Sequence, residues 1–120
     1  MPEPAAAWRQ ELRNRLLIAR KDRNTVHVAA LRSALSAIDN AETPDGPTPS
    51  AGAISDSAVG LGAAEVPRRS LTDVELRALI RAEVDERVEA AAQLAAGGRP
   101  ERADDVLAEA AVLTALLEDV

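Results

Sequence analysis

The sequence predicts an all-α protein: a small four-helix bundle of two antiparallel helical hairpins joined by a long Gly/Pro-rich loop. Apolar residues recur every three or four positions in four segments, which is the pattern of an amphipathic helix. Alanine makes up 26 of the 120 residues, and it has the highest helix propensity but is depleted in sheets. No segment alternates polar and apolar residues with β-branched enrichment, so no strand is predicted.

The first predicted helix runs from about Pro4 to Lys21. Residues spaced by four, four and three positions form its apolar stripe: Trp8, Leu12, Leu16 and Ala19. Leu17 and Ile18 lie off this stripe and are expected to widen the buried face.

The second predicted helix runs from about Thr25 to Glu42, and Asn24 or Thr25 is its predicted cap. Spacings of three, four and three positions give it a heptad-like seam: Val28, Leu31, Leu35 and Ile38. Alanines beside the seam allow a neighbouring helix to approach closely.

Residues 43–70 hold four of the seven prolines and four of the six glycines, so no helix continues through them. The first half of this linker, up to about Gly52, is predicted to be mobile. The second half contains enough apolar residues to lie partly against the helices. Loops of this length in compact domains are usually functional or disordered, and the sequence leaves both options open.

The third predicted helix has the clearest start signal in the chain. Thr72 and Glu75 form a capping box, and Leu71 can staple onto Leu76. The predicted apolar stripe consists of Leu76, Leu79, Ile80, Val84, Val88 and Ala91 or Ala92. The helix is predicted to end at the glycine pair 97–98, where glycine can take the left-handed conformation.

The fourth predicted helix begins with Pro100 in its first turn. Its predicted apolar face consists of Ala103, Val106, Leu107, Ala110, Leu113 and Leu116 or Leu117. The connection at 97–100 is very short, so the third and fourth helices are expected to be antiparallel neighbours.

The length predicts a single domain at 1–120, with a first helical pair at 1–42, the linker at 43–70 and a second helical pair at 71–120. The net charge of -6 argues against nonspecific binding to nucleic acid or anionic membrane. The charge is uneven, however: residues 1–42 carry seven basic and five acidic groups, and residues 68–120 carry seven basic and twelve acidic groups. Only the first third can form an electropositive surface.

The chain contains no cysteine, so disulfides and zinc-thiolate sites are excluded. It has neither a basic start followed by an apolar run nor 18 consecutive apolar residues. We therefore expect a soluble, untargeted and hence cytoplasmic protein with no membrane partner.

The residues that usually carry catalysis or bind metals form no recognisable constellation. His27 is the single histidine, and no triad partner stands at an identifiable position, so it is expected to be structural. Acidic residues of the third and fourth helices invite a metal hypothesis: Asp85, Glu86, Glu89, Asp104, Asp105 and Glu109. They lie off the apolar stripes and lack an inward Glu-x-x-His, so a solvated face is expected. No phosphate-cradling glycine motif is present, and we expect no cofactor.

Basic residues of the first helix and the following turn are the candidate nucleic-acid contacts: Arg9, Arg13, Arg20, Lys21 and Arg23. The first three are spaced by four and seven positions and form one row that could contact phosphates. The alternative is that these side chains lie over the edge of the core and pair with nearby acids. With one aromatic residue in the chain, there is no stacking platform for unpaired bases.

The arginines of the third helix differ from this row. Two acids flank two arginines at spacings of four along one face: Asp73, Arg77, Arg81 and Asp85. Glu83 likewise precedes Arg87 by four positions. Each of these arginines has an acid within one turn, which makes it a poor ligand for phosphate.

Several features in chain order resemble one known family. They are Leu31 and Arg32, the helix end Ile38 to Glu42, the entry Leu71 to Glu75, the run Ile80 to Glu83 with Arg87, the turn Gly98 and Arg99, and Glu109, Leu113 and Leu117. Together they resemble the GatB/YqeY-like family: the stand-alone YqeY proteins and the tail domain of the B subunit of aspartyl/glutamyl-tRNA amidotransferase. The resemblance covers residues 10–118 apart from the loop.

The resemblance implies a non-catalytic helical accessory module that interacts with tRNA or protein. The family's tail domain is a tRNA-contacting appendage, and amide transfer from glutamine takes place elsewhere in that enzyme. Carbon-nitrogen ligation with glutamine as donor is therefore associated with this chain by resemblance only, and its own catalysis is disfavoured. The implied partner is tRNA or a tRNA-modifying complex; a protein-protein module without RNA binding is the alternative. The chain departs from the family in its long loop and in ending at Val120, where the family continues past Tyr-Leu-Pro into a second lobe.

Overall fold

The computed structural model describes residues 3–44 and 69–120. These residues form a helical bundle of four helices: α1 (Pro4–Lys21), α2 (Thr25–Glu42), α3 (Asp73–Ala96) and α4 (Pro100–Asp119). The described ranges contain no strand, so the all-α prediction is confirmed. The predicted mobility and partial packing of the linker concern residues that lie almost wholly outside the described ranges.

Packing places α2 at the centre of the bundle. The most extensive helix contacts are between α3 and α4, followed by those between α1 and α2, and α2 also packs against α3 and α4. Leucine and isoleucine from all four helices are fully buried there: Leu12, Leu31, Ile38, Leu76, Ile80, Leu113 and Leu116. The alanines Ala30 and Ala34 of α2 are also fully buried, which permits close helix approach.

The predicted apolar stripe of α1 is confirmed, but the predicted buried faces of α1, α3 and α4 include residues that are exposed. All four stripe residues of α1 are buried. Leu17 and Ile18 are 55% and 59% exposed, so the expectation that they widen the buried face was wrong. Val88 of α3 and Leu107 of α4 were assigned to buried faces but are also largely exposed. In this part of the bundle a small separate core exists, formed by Ala91, Ala103 and Val106.

The start of α3 has the predicted capping box. The Thr72 hydroxyl accepts a hydrogen bond from the Glu75 N–H at 3.1 Å, and the Glu75 carboxylate accepts from the Thr72 N–H at 3.0 Å. These backbone and side-chain hydrogen bonds from Thr72 hold the pKa of Glu75 below its usual range. The direction of the chain entering α3 is therefore fixed by local chemistry.

A polar network ties α1 to α3 and to the end of α4. The indole Nε1 of Trp8 donates to Oδ1 of Asp73 at 2.8 Å, and Nε of Arg77 donates to Oδ2 of the same carboxylate at 2.7 Å. The Arg77 guanidinium lies 5.3 Å from the Trp8 ring centroid. It also donates to the backbone carbonyls of Leu117 and Val120. Trp8 is thus a structural residue, buried and hydrogen-bonded.

Candidate nucleic-acid interface

The structure gives Arg9 a structural role within the predicted arginine row. Nη2 of Arg9 lies 2.7 Å from Oδ1 of Asp39 and is also ion-paired with Glu42. The Arg9 side chain is 18% exposed and that of Glu42 is 7% exposed. The hydrogen bond to Glu42, assisted by Asp39, raises the pKa of Arg9. Arg9 therefore joins the start of α1 to the end of α2, and its charge is already neutralised by protein.

An open cleft lies beside this ion pair. Its lining combines basic, acidic and hydroxyl side chains from α1, α2 and the segment before α3: Glu3, Arg9, Arg13, Asp39, Glu42, Arg69 and Ser70. The Arg69 N–H donates to the Glu42 carbonyl at 2.8 Å and so joins the segment before α3 to the end of α2. Three cations face three acids here, so the cleft offers little net positive charge to a polyanion.

Arg13 and Arg20 are exposed on the same flank of α1 as Arg9, as their spacing predicts. Within residues 3–44 and 69–120, neither takes part in an ion pair. The predicted row is consequently split. One member is held by acids, and two present their guanidinium groups to solvent.

The other two predicted contacts continue the positive surface around the end of α1. Lys21 lies in the last turn and Arg23 in the turn that leads to α2, and both are exposed. Arg23 adopts a left-handed backbone conformation with φ of 55°. The N–H groups of Arg23 and Asn24 donate to the carbonyls of Arg20 and Ala19, which completes a Schellman motif. A bulky residue thus occupies a position that usually favours glycine.

Arg32 of α2 is an exposed arginine that sequence reasoning did not include among the contacts. Like Arg13 and Arg20, it has no ion pair within the described residues. A signal was available in the sequence, because no acid stands three or four positions from any of these three arginines. Salt bridging within a helix needs that spacing.

Most other arginines of the described helices are neutralised. Arg15 pairs with Glu11 at 2.6 Å, and this hydrogen bond raises its pKa. Arg77 pairs with Asp73 as described above. Arg87 lies 3.1 Å from a carboxylate on each of two helices, Glu83 of α3 and Glu109 of α4. Arg81 of α3 and Arg102 of α4 are exceptions, since neither has an ion pair within the described residues, although Asp85 and Asp105 stand four and three positions away.

The residues considered for catalysis or metal binding lie apart in the structure. His27 is exposed, and its backbone N–H donates to Oδ1 of Asn24, the N-cap of α2, at 3.1 Å. No group of three or more His, Asp or Glu side chains in the described ranges is arranged to hold a metal ion. Glu109, one of the acids weighed for metal binding, instead accepts a hydrogen bond from Arg87.

The chemistry open to the exposed arginines is recognition of phosphate or carboxylate through their forked donors. This surface offers no aromatic ring for base stacking, because Trp8 is 2% exposed and its N–H is bound to Asp73. None of the four described helices is long and apolar enough to cross a membrane.

Comparisons of the chain with protein-family models, with curated proteins and with solved structures found no match.

Proposed function

We propose that this chain is a cytoplasmic, non-catalytic module of the GatB/YqeY-like kind that binds tRNA through the outer surface of α1. In this proposal the bundle consists of two antiparallel helical hairpins, and the first hairpin carries the RNA contacts. The association with glutamine-dependent amidation is through a partner complex that performs the chemistry.

The observation that carries the proposal is the uncompensated positive charge at the outer surface of α1. Arg13, Arg20, Lys21 and Arg23 are exposed and make no ion pair within the described ranges, whereas Arg9, Arg15 and most arginines of α3 are ion-paired. Like charges this close repel one another unless an anion joins them. A phosphate backbone supplies anions at regular spacing and releases its own counterions on binding.

The conformation of Arg23 adds support. Holding a non-glycine residue in the left-handed region costs about 1 to 2 kcal/mol. Residues held in such conformations cluster at functional sites, where the placement of a side chain matters more than backbone energy. Here the side chain so placed is a cation beside Lys21 and Arg20.

The test is a titration of the protein with bulk tRNA at several salt concentrations. Four phosphate contacts predict that the logarithm of the binding constant falls with the logarithm of salt concentration with a slope of about -3. Charge reversal at Arg13 and Arg20 removes two of the four contacts and should reduce the slope by at least about half. Binding that is absent at low salt, or indifferent to charge reversal, would remove the RNA proposal.

A protein-protein module is the second candidate, and exposed apolar residues on the α3 and α4 side favour it. Val88 and Leu107 are exposed beside Ala92, Ala95 and Pro100, and they line one shallow groove. Exposed apolar surface of this kind marks interaction sites. If this candidate holds, Val88→Asp should abolish recovery of a stoichiometric partner from cell extract while leaving tRNA binding unchanged.

A further inference from the structure

Arg32 lies on the flank of α2 that faces α1. It precedes Asp39 by seven residues, which is two helical turns, so both side chains lie on one flank. Asp39 is ion-paired with Arg9 of α1 at 2.7 Å, which shows that this flank adjoins α1. Arg32 is exposed, so it lies at the rim of the groove between the two helices.

The opposite rim of this groove is formed by α1. Arg13 and Arg20 follow Arg9 by four and eleven residues, close to one and three turns, and therefore share its flank. Starting from the Arg9 to Asp39 contact, α1 advances about 6 Å to Arg13 and about 16 Å to Arg20. Along α2, Arg32 is about 10 Å from the same contact, towards the turn that joins the helices. Along the groove, Arg32 therefore lies between Arg13 and Arg20.

The three guanidinium groups have little local compensation. None has an acid three or four positions away, and none has an ion pair within residues 3–44 and 69–120. At the Arg9 end, Asp39 and Glu42 are bound to Arg9, and Glu3 also lines the cleft beside Arg13. Asp22 is exposed at the far end, beside Lys21 and Arg23. Beyond that end, the part of the groove between Arg13, Arg20 and Arg32 is therefore a cationic surface contributed by two helices.

The kind of anion follows from geometry and from the missing stacking platform. Arg13 and Arg20 are separated by about 10 Å along α1, so one small anion cannot satisfy both, whereas a chain of phosphates can. Binding of unpaired bases is favoured by exposed aromatic rings, and Trp8, the one aromatic residue of the chain, is buried. Double-helical RNA presents its backbone without requiring contact to bases.

We propose that Arg32 of α2 completes, with Arg13 and Arg20 of α1, a groove that binds the phosphodiester backbone of double-helical RNA. This inference rests on the proposed RNA-binding function and adds the second wall of the site and the form of RNA that it takes.

The experiment compares two probes, a short RNA duplex and a uridine-only single strand with the same number of phosphates. The wild-type protein should bind the duplex several-fold more tightly. Arg32→Gln should weaken duplex binding several-fold and reduce the salt slope by about 0.7 to 0.9, the contribution of one phosphate contact. Arg81→Gln is the matched control, because it removes the same charge from an exposed arginine of α3 that has no ion pair within the described residues. It should leave the slope unchanged.

The outcomes separate this inference from the proposed function. If the wild-type protein binds neither probe, both fall. If it binds RNA but Arg32→Gln behaves like Arg81→Gln, or if the two probes bind equally, the groove assignment falls and α1 alone carries the function. Polyglutamate that binds as tightly as the duplex would indicate an acidic protein partner and would overturn the RNA assignment. Circular dichroism and thermal unfolding of each variant exclude loss of folding as the cause.

Discussion

Arg9 and Arg13 are one helical turn apart on α1, yet the structure predicts opposite consequences when each is replaced by glutamine. Both changes remove one positive charge. Arg9 is largely buried against Glu42 and is also bound to Asp39, whereas Arg13 is exposed and has no ion pair in the described ranges. We expect Arg9→Gln to destabilise the fold and Arg13→Gln to weaken RNA binding.

The magnitude for Arg9 lies between two limits. Exposed ion pairs contribute about 0.2 to 1 kcal/mol, and breaking a fully buried pair costs about 3 to 5 kcal/mol. With 18% exposure at Arg9 and 7% at Glu42, the pair is intermediate, and we expect a loss of about 2 kcal/mol. That loss corresponds to a fall in Tm of roughly 6 to 10 °C for a domain of this size. Arg13→Gln should change the free energy of unfolding by less than about 0.5 kcal/mol.

Two assays on the same variants measure the contrast. Thermal unfolding followed by circular dichroism gives the stability of each variant. Titration with tRNA at several salt concentrations gives the slope, which Arg13→Gln should reduce by about 0.7 to 0.9 and Arg9→Gln should leave unchanged. If Arg9→Gln keeps the wild-type Tm and reduces the salt slope as much as Arg13→Gln does, Arg9 is a phosphate contact and not a structural ion-pair residue.

Three further predictions concern the fold. Leu113→Ala should lower the free energy of unfolding in urea by about 3 to 5 kcal/mol, because Leu113 is fully buried. Leu107→Ala in the same helix should lower it by less than about 1 kcal/mol, because Leu107 is 45% exposed. Similar losses for the two variants would contradict the assigned faces of α4. Arg23→Gly should raise stability by about 0.5 to 1 kcal/mol by relieving the left-handed backbone, while Arg23→Ala should not. The hydrogen bond from Trp8, followed by that from Arg77, lowers the pKa of Asp73 below its ordinary value of 3.8. Its stabilisation is therefore complete above that pH and is lost as pH falls through the lowered pKa, and Asp73→Asn should flatten acid unfolding in this range.

The helix boundaries could be predicted from sequence because local chemistry sets them. The Thr72 and Glu75 box starts α3, and Gly98 ends it with φ of 81°. The bounds of α1 and α2 also agree with prediction. The left-handed turn at Arg23 could not be predicted in the same way, because the usual signal is glycine and the hydrogen bonds that hold this turn come from the helix end itself.

The edges of the buried faces and the split of the arginine row depend on tertiary packing. Periodicity places Leu17 and Ile18 near the stripe, but only the neighbouring helices decide how wide the covered face is, and they leave both exposed. Similarly, Arg9 and Arg13 look alike in sequence. The acids that bind Arg9 are on another helix, about 30 positions away, so spacing within α1 cannot reveal them.

Salt-dependent titration of the wild-type protein with bulk tRNA decides whether the α1 side of this acidic protein binds RNA. We expect measurable binding at low salt and a logarithmic slope of about -3 from the four cations of α1 and the following turn, or about -4 if Arg32 adds a fifth contact. A flat salt dependence, or no binding at the lowest salt concentration, would contradict it.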